Sequence, residues 1–118
     1  MKRRILVVED ESFIALFISE VLETAGFEVV GPWPTVSQAL AQLAIPDCCD
    51  AAVLDASLRN ESAVAVAKAL VALEIPFVVT TGYNKSQLPP ELAAVPILAK
   101  PVNTEELIAH VLRALSTG

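Results

Sequence analysis

The sequence predicts an α/β protein built on one parallel sheet with helices on both faces. Five short apolar runs alternate along the chain with segments whose apolar residues recur at helical spacing. The runs are almost unbroken in aliphatic character, which is typical of strands buried on both faces. At 118 residues, of which 54% are hydrophobic, the chain has the size and apolar content expected of a single domain over residues 1–118.

The predicted elements follow one another as five strand–helix pairs. Strands are predicted over residues 4–8, 27–30, 51–55, 76–81 and 97–99. Helices are predicted over residues 11–25, 35–43, 62–73, 89–94 and 103–115. Thr35 and Asn103 are residue types that cap helix N-termini, and Glu106 stands at capping-box spacing from Asn103. The fourth helix is expected to be short because prolines open it and Pro96 follows it.

Three local patterns give more specific expectations. In the first helix, spacings of three and four predict one buried apolar set, namely Phe13, Ile14, Leu16, Phe17, Val21 and Leu22. The third helix is so rich in Ala, Val and Leu that most of its circumference is expected to be covered. The Gly31-Pro32-Trp33-Pro34 run is expected to follow the second strand, since it cannot continue a helix or a central strand.

Charge and hydropathy argue against two classes of partner. The formal net charge is −6, whereas a nucleic-acid surface needs clustered Lys and Arg. Residues 2–4 form a short basic run that leads into the first strand and is expected to be solvated. No apolar run approaches the length of a membrane span, and the first run is too short for a signal peptide. We therefore expect a cytoplasmic protein that binds neither nucleic acid nor membrane.

The two cysteines are adjacent and precede a predicted buried strand. Neighbouring cysteines rarely form a structural disulfide, and no spaced Cys or His suggests a zinc site. We expect Cys48 and Cys49 to be free thiols.

Side chains that can take part in chemistry stand at or directly after the ends of four of the five predicted strands. They are Glu9 and Asp10 after the first, Asp55 at the end of the third, Thr81 at the end of the fourth, and Lys100-Pro101 after the fifth. In open parallel sheets, functional sites lie beyond the carboxyl ends of the strands. Each residue alone has an ordinary explanation, such as helix capping or solvation. Gathered at one edge of a sheet, they predict a site.

The charges of these residues predict a cation and a phosphoryl group. Asp10 and Asp55 would repel each other unless one held a proton or a cation lay between them. Mg²⁺ prefers oxygen ligands and keeps several waters, so Glu9 would act mainly through a coordinated water. Asp55 is central among the strand ends and is the expected nucleophile, forming an aspartyl phosphate. Lys100 and Thr81 would contact the phosphoryl oxygens.

In order and approximate spacing, these residues resemble the signature of response regulator receiver domains, and the resemblance covers the whole chain. It implies a flavodoxin-like (βα)5 sandwich with sheet order 2-1-3-4-5. It also implies Mg²⁺-dependent phosphorylation of Asp55 by a sensor histidine kinase or phosphotransfer protein, and hydrolysis of the acyl phosphate. By the same resemblance, the Ser57 carbonyl would complete the metal shell and the Lys100–Pro101 bond would be cis.

Departures from the usual receiver pattern indicate an atypical subgroup. The loop after Asp55 reads Leu58-Arg59-Asn60-Glu61-Ser62 where receivers usually have Pro and Gly, and Ile97 replaces the usual switch aromatic. The run from Pro76 to Tyr83 resembles a subgroup with a Pro-Phe strand start, a Thr-Gly-Tyr ending and a reduced fourth helix. In the family, residues at the Ser57 and Tyr83 positions tune how water reaches the acyl phosphate. Tyr83 could equally be an ordinary loop aromatic.

The resulting hypothesis is a phosphorylatable switch, acting as a stand-alone regulator or phosphate shuttle without a DNA-binding output. It would modify only itself, would act on a downstream protein target, and would be a monomer or weak homodimer. One alternative is a pseudo-receiver that binds a partner without phosphate. A small phosphatase or flavodoxin-like enzyme is disfavoured, since no Asp-x-Asp pair or Gly-rich phosphate loop follows the first strand.

Overall fold

The computed structural model describes residues 2–82 and 84–117. Five strands form one parallel sheet, namely β1 (Arg4–Val8), β2 (Glu28–Trp33), β3 (Ala51–Asp55), β6 (Phe77–Thr81) and β7 (Ile97–Ala99). Two short strands between β3 and β6, β4 (Ser57–Leu58) and β5 (Glu61–Ser62), lie outside this sheet. The order in the sheet is β2-β1-β3-β6-β7. Numbered among themselves in chain order, these strands have the order 2-1-3-4-5, so the predicted fold is confirmed. The bounds of β1, β3 and β7 are also those predicted from their apolar runs.

Helices cover both faces of the sheet. They are α1 (Ser12–Thr24), α2 (Val36–Leu43), α3 (Val64–Ala72), α4 (Pro90–Ala93) and α5 (Thr104–Thr117), with a 3-10 turn at Lys85–Gln87 before α4. As predicted, α4 is short. The predicted caps also form, since Thr35 Oγ1 accepts from the amide of Gln38 at 3.2 Å and Asn103 Oδ1 accepts from that of Glu106 at 3.0 Å.

The core has two layers because successive strand residues point to opposite faces. On one face Ile5, Val7 and Val53 pack with residues of α1 and α5. On the other face Leu6 and Leu54 pack with residues of α2, α3 and α4. The central strand β3 is buried along its whole length. Its last residue is thereby held in a fixed place at the carboxyl edge of the sheet.

The predicted buried face of α1 is only partly correct. Leu22 is buried, and Ile14 and Val21 are half-buried against the core, but Phe13, Leu16 and Phe17 are not buried. The buried residues of this helix are Ala15, Ile18, Ser19 and Leu22. Phe13 is 90% exposed, and Leu16 and Phe17 are also exposed. The helix has apolar residues around much of its circumference, so periodicity did not distinguish the face that contacts the sheet from the face that is open. An unpartnered aromatic surface is left on α1.

Three further expectations need correction. Only one side of α3 is buried, through Val66, Ala67 and Leu70, while Val71 is 64% exposed. β2 does not end before Gly31 but continues through a cis Gly31–Pro32 peptide to Trp33. A proline is tolerated there because β2 is an edge strand and the register with β1 is irregular at this point.

The third correction is a small hairpin that the sequence did not predict. It consists of β4 (Ser57–Leu58) paired antiparallel with β5 (Glu61–Ser62). It occupies the loop directly after Asp55, so it forms one wall of the region beyond the carboxyl edge.

Two further sequence expectations concern the cysteines and the membrane. Cys48 and Cys49 are free thiols with their sulfur atoms 3.4 Å apart, as predicted. Within the described part of the chain, no helix is long and apolar enough to cross a membrane.

Candidate functional site

Three carboxylates meet at the carboxyl edge of the sheet. Glu9 and Asp10 directly follow β1, and Asp55 ends the neighbouring strand β3. One oxygen from each of the three lies within 4.8 Å of the others. Glu9 and Asp55 are buried, and Asp10 is half-buried. The sequence prediction that parallel strands gather these acids is therefore met by the geometry.

Lys100 brings one positive charge to the three acids. Its Nζ lies 3.1 Å from Glu9 Oε1 and 3.2 Å from Asp55 Oδ2. The main chain of Lys100 is held by its amide, which donates to the Thr81 carbonyl at 2.9 Å. The peptide bond between Lys100 and Pro101 is cis, as the resemblance implied. The ammonium thus bridges two carboxylates from different strands.

The pKa values of the cluster reflect burial and crowding. Burial raises the pKa of Glu9 to about 7, and the neighbouring Asp55 adds to the rise. Burial also raises the pKa of Asp55, although Glu9 and Lys100 act in the opposite direction. Burial opposes charge on Lys100 as well, but Asp55 and Glu9 raise the pKa of its ammonium. The cluster thus carries more negative charge than Lys100 compensates, and protonation of Glu9 is one way to relieve it.

Asp10 differs from the other two acids. Burial works against its charge, yet the main-chain amide of Arg59 and the Glu9 side chain lower the pKa of Asp10 below its ordinary value. The Arg59 amide donates to Asp10 Oδ2 at 3.0 Å. Asp10 is therefore the carboxylate most firmly held in its ionised form.

The donor set fits a hard divalent cation such as Mg²⁺. Its atoms are carboxylate oxygens, which Mg²⁺ prefers, and they surround one small volume. Glu9 Oε1 is buried and, despite its 3.1 Å contact with Lys100, has no aligned hydrogen-bond partner among the described residues. A buried oxygen of this kind is stabilised by a cation or by a water bound to one. Glu9, Asp10 and Asp55 would hold Mg²⁺.

Among the other predicted site residues, Thr81 and Ser57 lie at or beside the same carboxyl edge of the sheet. Thr81 ends β6 and is buried beside the strand that carries Asp55. Ser57 lies in β4, and its amide is 3.4 Å from Asp55 Oδ1. Ile97 is half-buried in β7, paired with Val79. Tyr83 lies outside the described residues.

Arg59 is the residue of this site that sequence reasoning missed. It was noticed only as part of an unusual loop, because nothing in the sequence shows that its amide reaches a residue 49 positions away. Cavity size does not identify the site either. A cavity of about 610 Å³ lies near Cys49 and Pro76, and none of the three acids lines it.

Comparison with known proteins identifies relatives over nearly the whole chain. The sequence profile of the response regulator receiver domain matches residues 5–112. The transcriptional regulatory protein PdtaR of Mycobacterium tuberculosis is 29% identical over 120 residues, covering 97% of this chain and 57% of PdtaR. The chain therefore spans little more than half the length of that curated relative.

Several solved structures are similar to this chain as well. SdrG from Sphingomonas melonis Fr1 is 37% identical with a TM-score of 0.84, over 98% of this chain and 97% of SdrG. The BeF3-activated conformation of SdrG has a TM-score of 0.76 at the same 37% identity, over 95% of this chain and 94% of SdrG. A CheY-like receiver domain from Methylobacillus flagellatus is 28% identical with a TM-score of 0.78, over 98% of this chain and 99% of that domain.

The profile match, the sheet order and the acidic cluster beside Lys100 agree with one another. The chain belongs to the response regulator receiver domain family of two-component signalling.

Proposed function

We propose that this receiver domain accepts a phosphoryl group on Asp55 in a Mg²⁺-dependent reaction. The observation that carries the proposal is the environment of the Asp55 carboxylate. It lies 3.2 Å from the Lys100 ammonium and within one cluster with Glu9 and Asp10. A carboxylate flanked by an ammonium and by a cation-binding pair is suited to receive a group whose oxygens are negatively charged.

The chemistry follows from these positions. A carboxylate oxygen of Asp55 attacks phosphorus, forming the P–O bond as the P–N bond to the donor imidazole breaks, and the imidazole leaves with the electron pair. Bound Mg²⁺ would supply positive charge to the phosphoryl oxygens. Lys100 Nζ, freed from its ion pair with Asp55, donates to one phosphoryl oxygen, and the Thr81 hydroxyl donates to another.

The proposed donor is the phosphohistidine of a sensor kinase or phosphotransfer protein. The aromatic surface of α1 supports this, because Phe13 is 90% exposed and shares a cavity of about 310 Å³ with Phe17, Lys100 and Pro101. An exposed apolar surface beside a reactive residue is what a docking partner would cover. A protein donor that packs on Phe13 would bring its imidazole to the edge where Asp55 lies.

The receiver is proposed to act only on itself, by accepting the phosphoryl group and by hydrolysing the acyl phosphate. Ser57 and Tyr83 are the residues proposed to tune access of water to it. Its output is proposed to pass to a protein target or by onward phosphoryl transfer. The −6 net charge of this stretch supports that choice over direct contact with nucleic acid.

We also propose that phosphorylation is read through the segment 84–96 and not through an aromatic switch. Ile97 packs against the core layer that contains α3 and α4, and it has no ring to turn inward. The segment before it contains only a 3-10 turn and the four-residue α4. Short helices with few internal hydrogen bonds rearrange at low cost. This supports membership of the atypical subgroup that the Pro76–Tyr83 run resembles.

Asp55→Asn tests the phosphorylation site. With Mg²⁺ and acetyl phosphate, the wild type is expected to gain one phosphoryl group by intact-protein mass spectrometry, and the variant none, because the nucleophile is gone. Asp50→Asn is the matched control, since Asp50 is exposed and precedes the other end of β3. Phosphorylation that persists in Asp55→Asn would contradict the site. No modification of the wild type would favour the phosphate-independent pseudo-receiver.

Lys100→Ala tests the role of the ammonium. We expect phosphorylation to slow by roughly 10- to 100-fold, since a hydrogen bond to a charged group contributes about 1.5–3 kcal/mol. Mg²⁺ affinity, measured by calorimetric titration, should stay the same or increase because a positive charge leaves the acidic cluster. Lys68→Ala, at an exposed position of α3, is the control. A large loss of Mg²⁺ affinity in Lys100→Ala would contradict the assignment.

Phe13→Ser tests the donor surface. Transfer from a phosphohistidine protein should slow by roughly tenfold, since burying a Phe side chain contributes about 1.5–3 kcal/mol. Phosphorylation by acetyl phosphate should be unchanged, because that donor needs no docking surface. Val71→Ser on α3, also exposed, should change neither rate. An equal loss with both donors in Phe13→Ser would show that the residue supports the site and not docking.

Beryllofluoride with Mg²⁺ tests the proposed readout. In a two-dimensional NMR spectrum, amide shifts are expected to change most around Asp55 and across residues 84–96. Ile97→Val should show the same pattern, because Ile97 has no switching role. Changes that stop at Asp55 and Ile97, with residues 84–96 unaltered, would overturn this route.

A further inference from the structure

The hairpin after Asp55 is closed by two residues in the left-handed conformation. Arg59 has φ of +50° and Asn60 has φ of +67°. Two-residue hairpin turns of type I′ need positive φ at both central positions and favour Asn and Gly there. Asn tolerates this conformation, whereas for Arg the Cβ atom makes it unfavourable. Something outside the turn must therefore stabilise Arg59 in this geometry.

The stabilising contact is with Asp10. The Arg59 amide donates to Asp10 Oδ2 at 3.0 Å, which joins the hairpin to the loop between β1 and α1. A hydrogen bond from a main-chain amide to a carboxylate is charge-assisted, so it is stronger than a hydrogen bond between neutral groups. It fixes the direction of the Asp10 side chain.

We infer that Arg59 is a positioning residue of the cation site, whose main-chain amide holds the Asp10 carboxylate toward Glu9 and Asp55. The inference rests on the proposed function, because it assigns a cation to these three acids. In metal sites, hydrogen-bond donors to the ligands are needed nearly as much as the ligands, and their loss typically costs about 10- to 100-fold in metal affinity. The Arg59 amide is such a hydrogen-bond donor, and Asp10 is the ligand to which it donates.

The side chain and the amide of Arg59 have opposite expected effects on a cation. Arg59 lies beside Glu9 and Asp10 in a cavity of about 300 Å³, and its side chain is exposed. A guanidinium near the site would repel Mg²⁺, so its removal would leave affinity unchanged or increase it. Loss of the amide hydrogen bond would instead weaken binding. The two contributions can therefore be separated by their sign.

A pair of variants isolates the amide. Arg59→Gly keeps the N–H and tolerates positive φ, so we expect unchanged or tighter Mg²⁺ binding and a midpoint of thermal unfolding raised by ~4 °C. The same Gly variant with an ester replacing the amide of residue 59, made by semisynthesis, lacks the N–H but keeps the side chain of the Gly variant. Its Mg²⁺ affinity should be about tenfold weaker than that of Arg59→Gly. Equal affinities in the Gly amide and the Gly ester would overturn the inference.

Hydrogen exchange in the metal-free protein gives a second, independent readout. The Arg59 amide should exchange slowly in the wild type and at least tenfold faster in Asp10→Ala, with little change at the Asn60 amide. Equal exchange of the Arg59 amide in both proteins would overturn the contact itself. Absence of Mg²⁺ binding by the wild type would contradict the proposed function. The exchange result would still decide whether the Arg59 amide holds Asp10.

Discussion

The properties of the site follow from one constraint, which is that several negatively charged side chains are held close together in a small buried volume. Parallel pairing of β1 with β3 brings Glu9, Asp10 and Asp55 to the same edge, with one oxygen of each within 4.8 Å of the others. Carboxylates this close repel strongly in a partly dry environment. Lys100 compensates for one charge. The remaining negative charge is relieved by a proton or a cation. The proposed binding of Mg²⁺ at this edge would meet that need.

The sheet and its borders have different mechanical roles in this account. β3 is buried along its length between two core layers, so the main chain that carries the Asp55 carboxylate is held in place. The segment proposed to report its state, residues 84–96 with the short α4, lies at the periphery. Rigid placement of the reacting group with softer surroundings is a common arrangement in switches, because only weakly held segments change at low cost.

Much of the fold was predictable because its strands are buried on both faces. Such strands are unbroken apolar runs, and the polar residue after each run marks the carboxyl edge, which was enough to find Glu9, Asp10, Asp55 and Lys100. Which side of α1 packs against the sheet was not predictable, because a helix with apolar residues on several sides can pack in more than one orientation. The Arg59 contact was not predictable either. It depends on a left-handed main chain and on a partner 49 residues away, and neither leaves a pattern in side-chain types.

The central claim is that Asp55 receives the phosphoryl group beside a cation held by the acid cluster. A crystal structure grown with Mg²⁺ and beryllofluoride tests it most directly. The account predicts beryllofluoride on an Asp55 oxygen, Lys100 Nζ and Thr81 Oγ1 on its fluorines, and Mg²⁺ between Asp10 and Asp55. A structure with beryllofluoride bound elsewhere, or with Asp55 still paired to Lys100 and no Mg²⁺ at the acids, would contradict it.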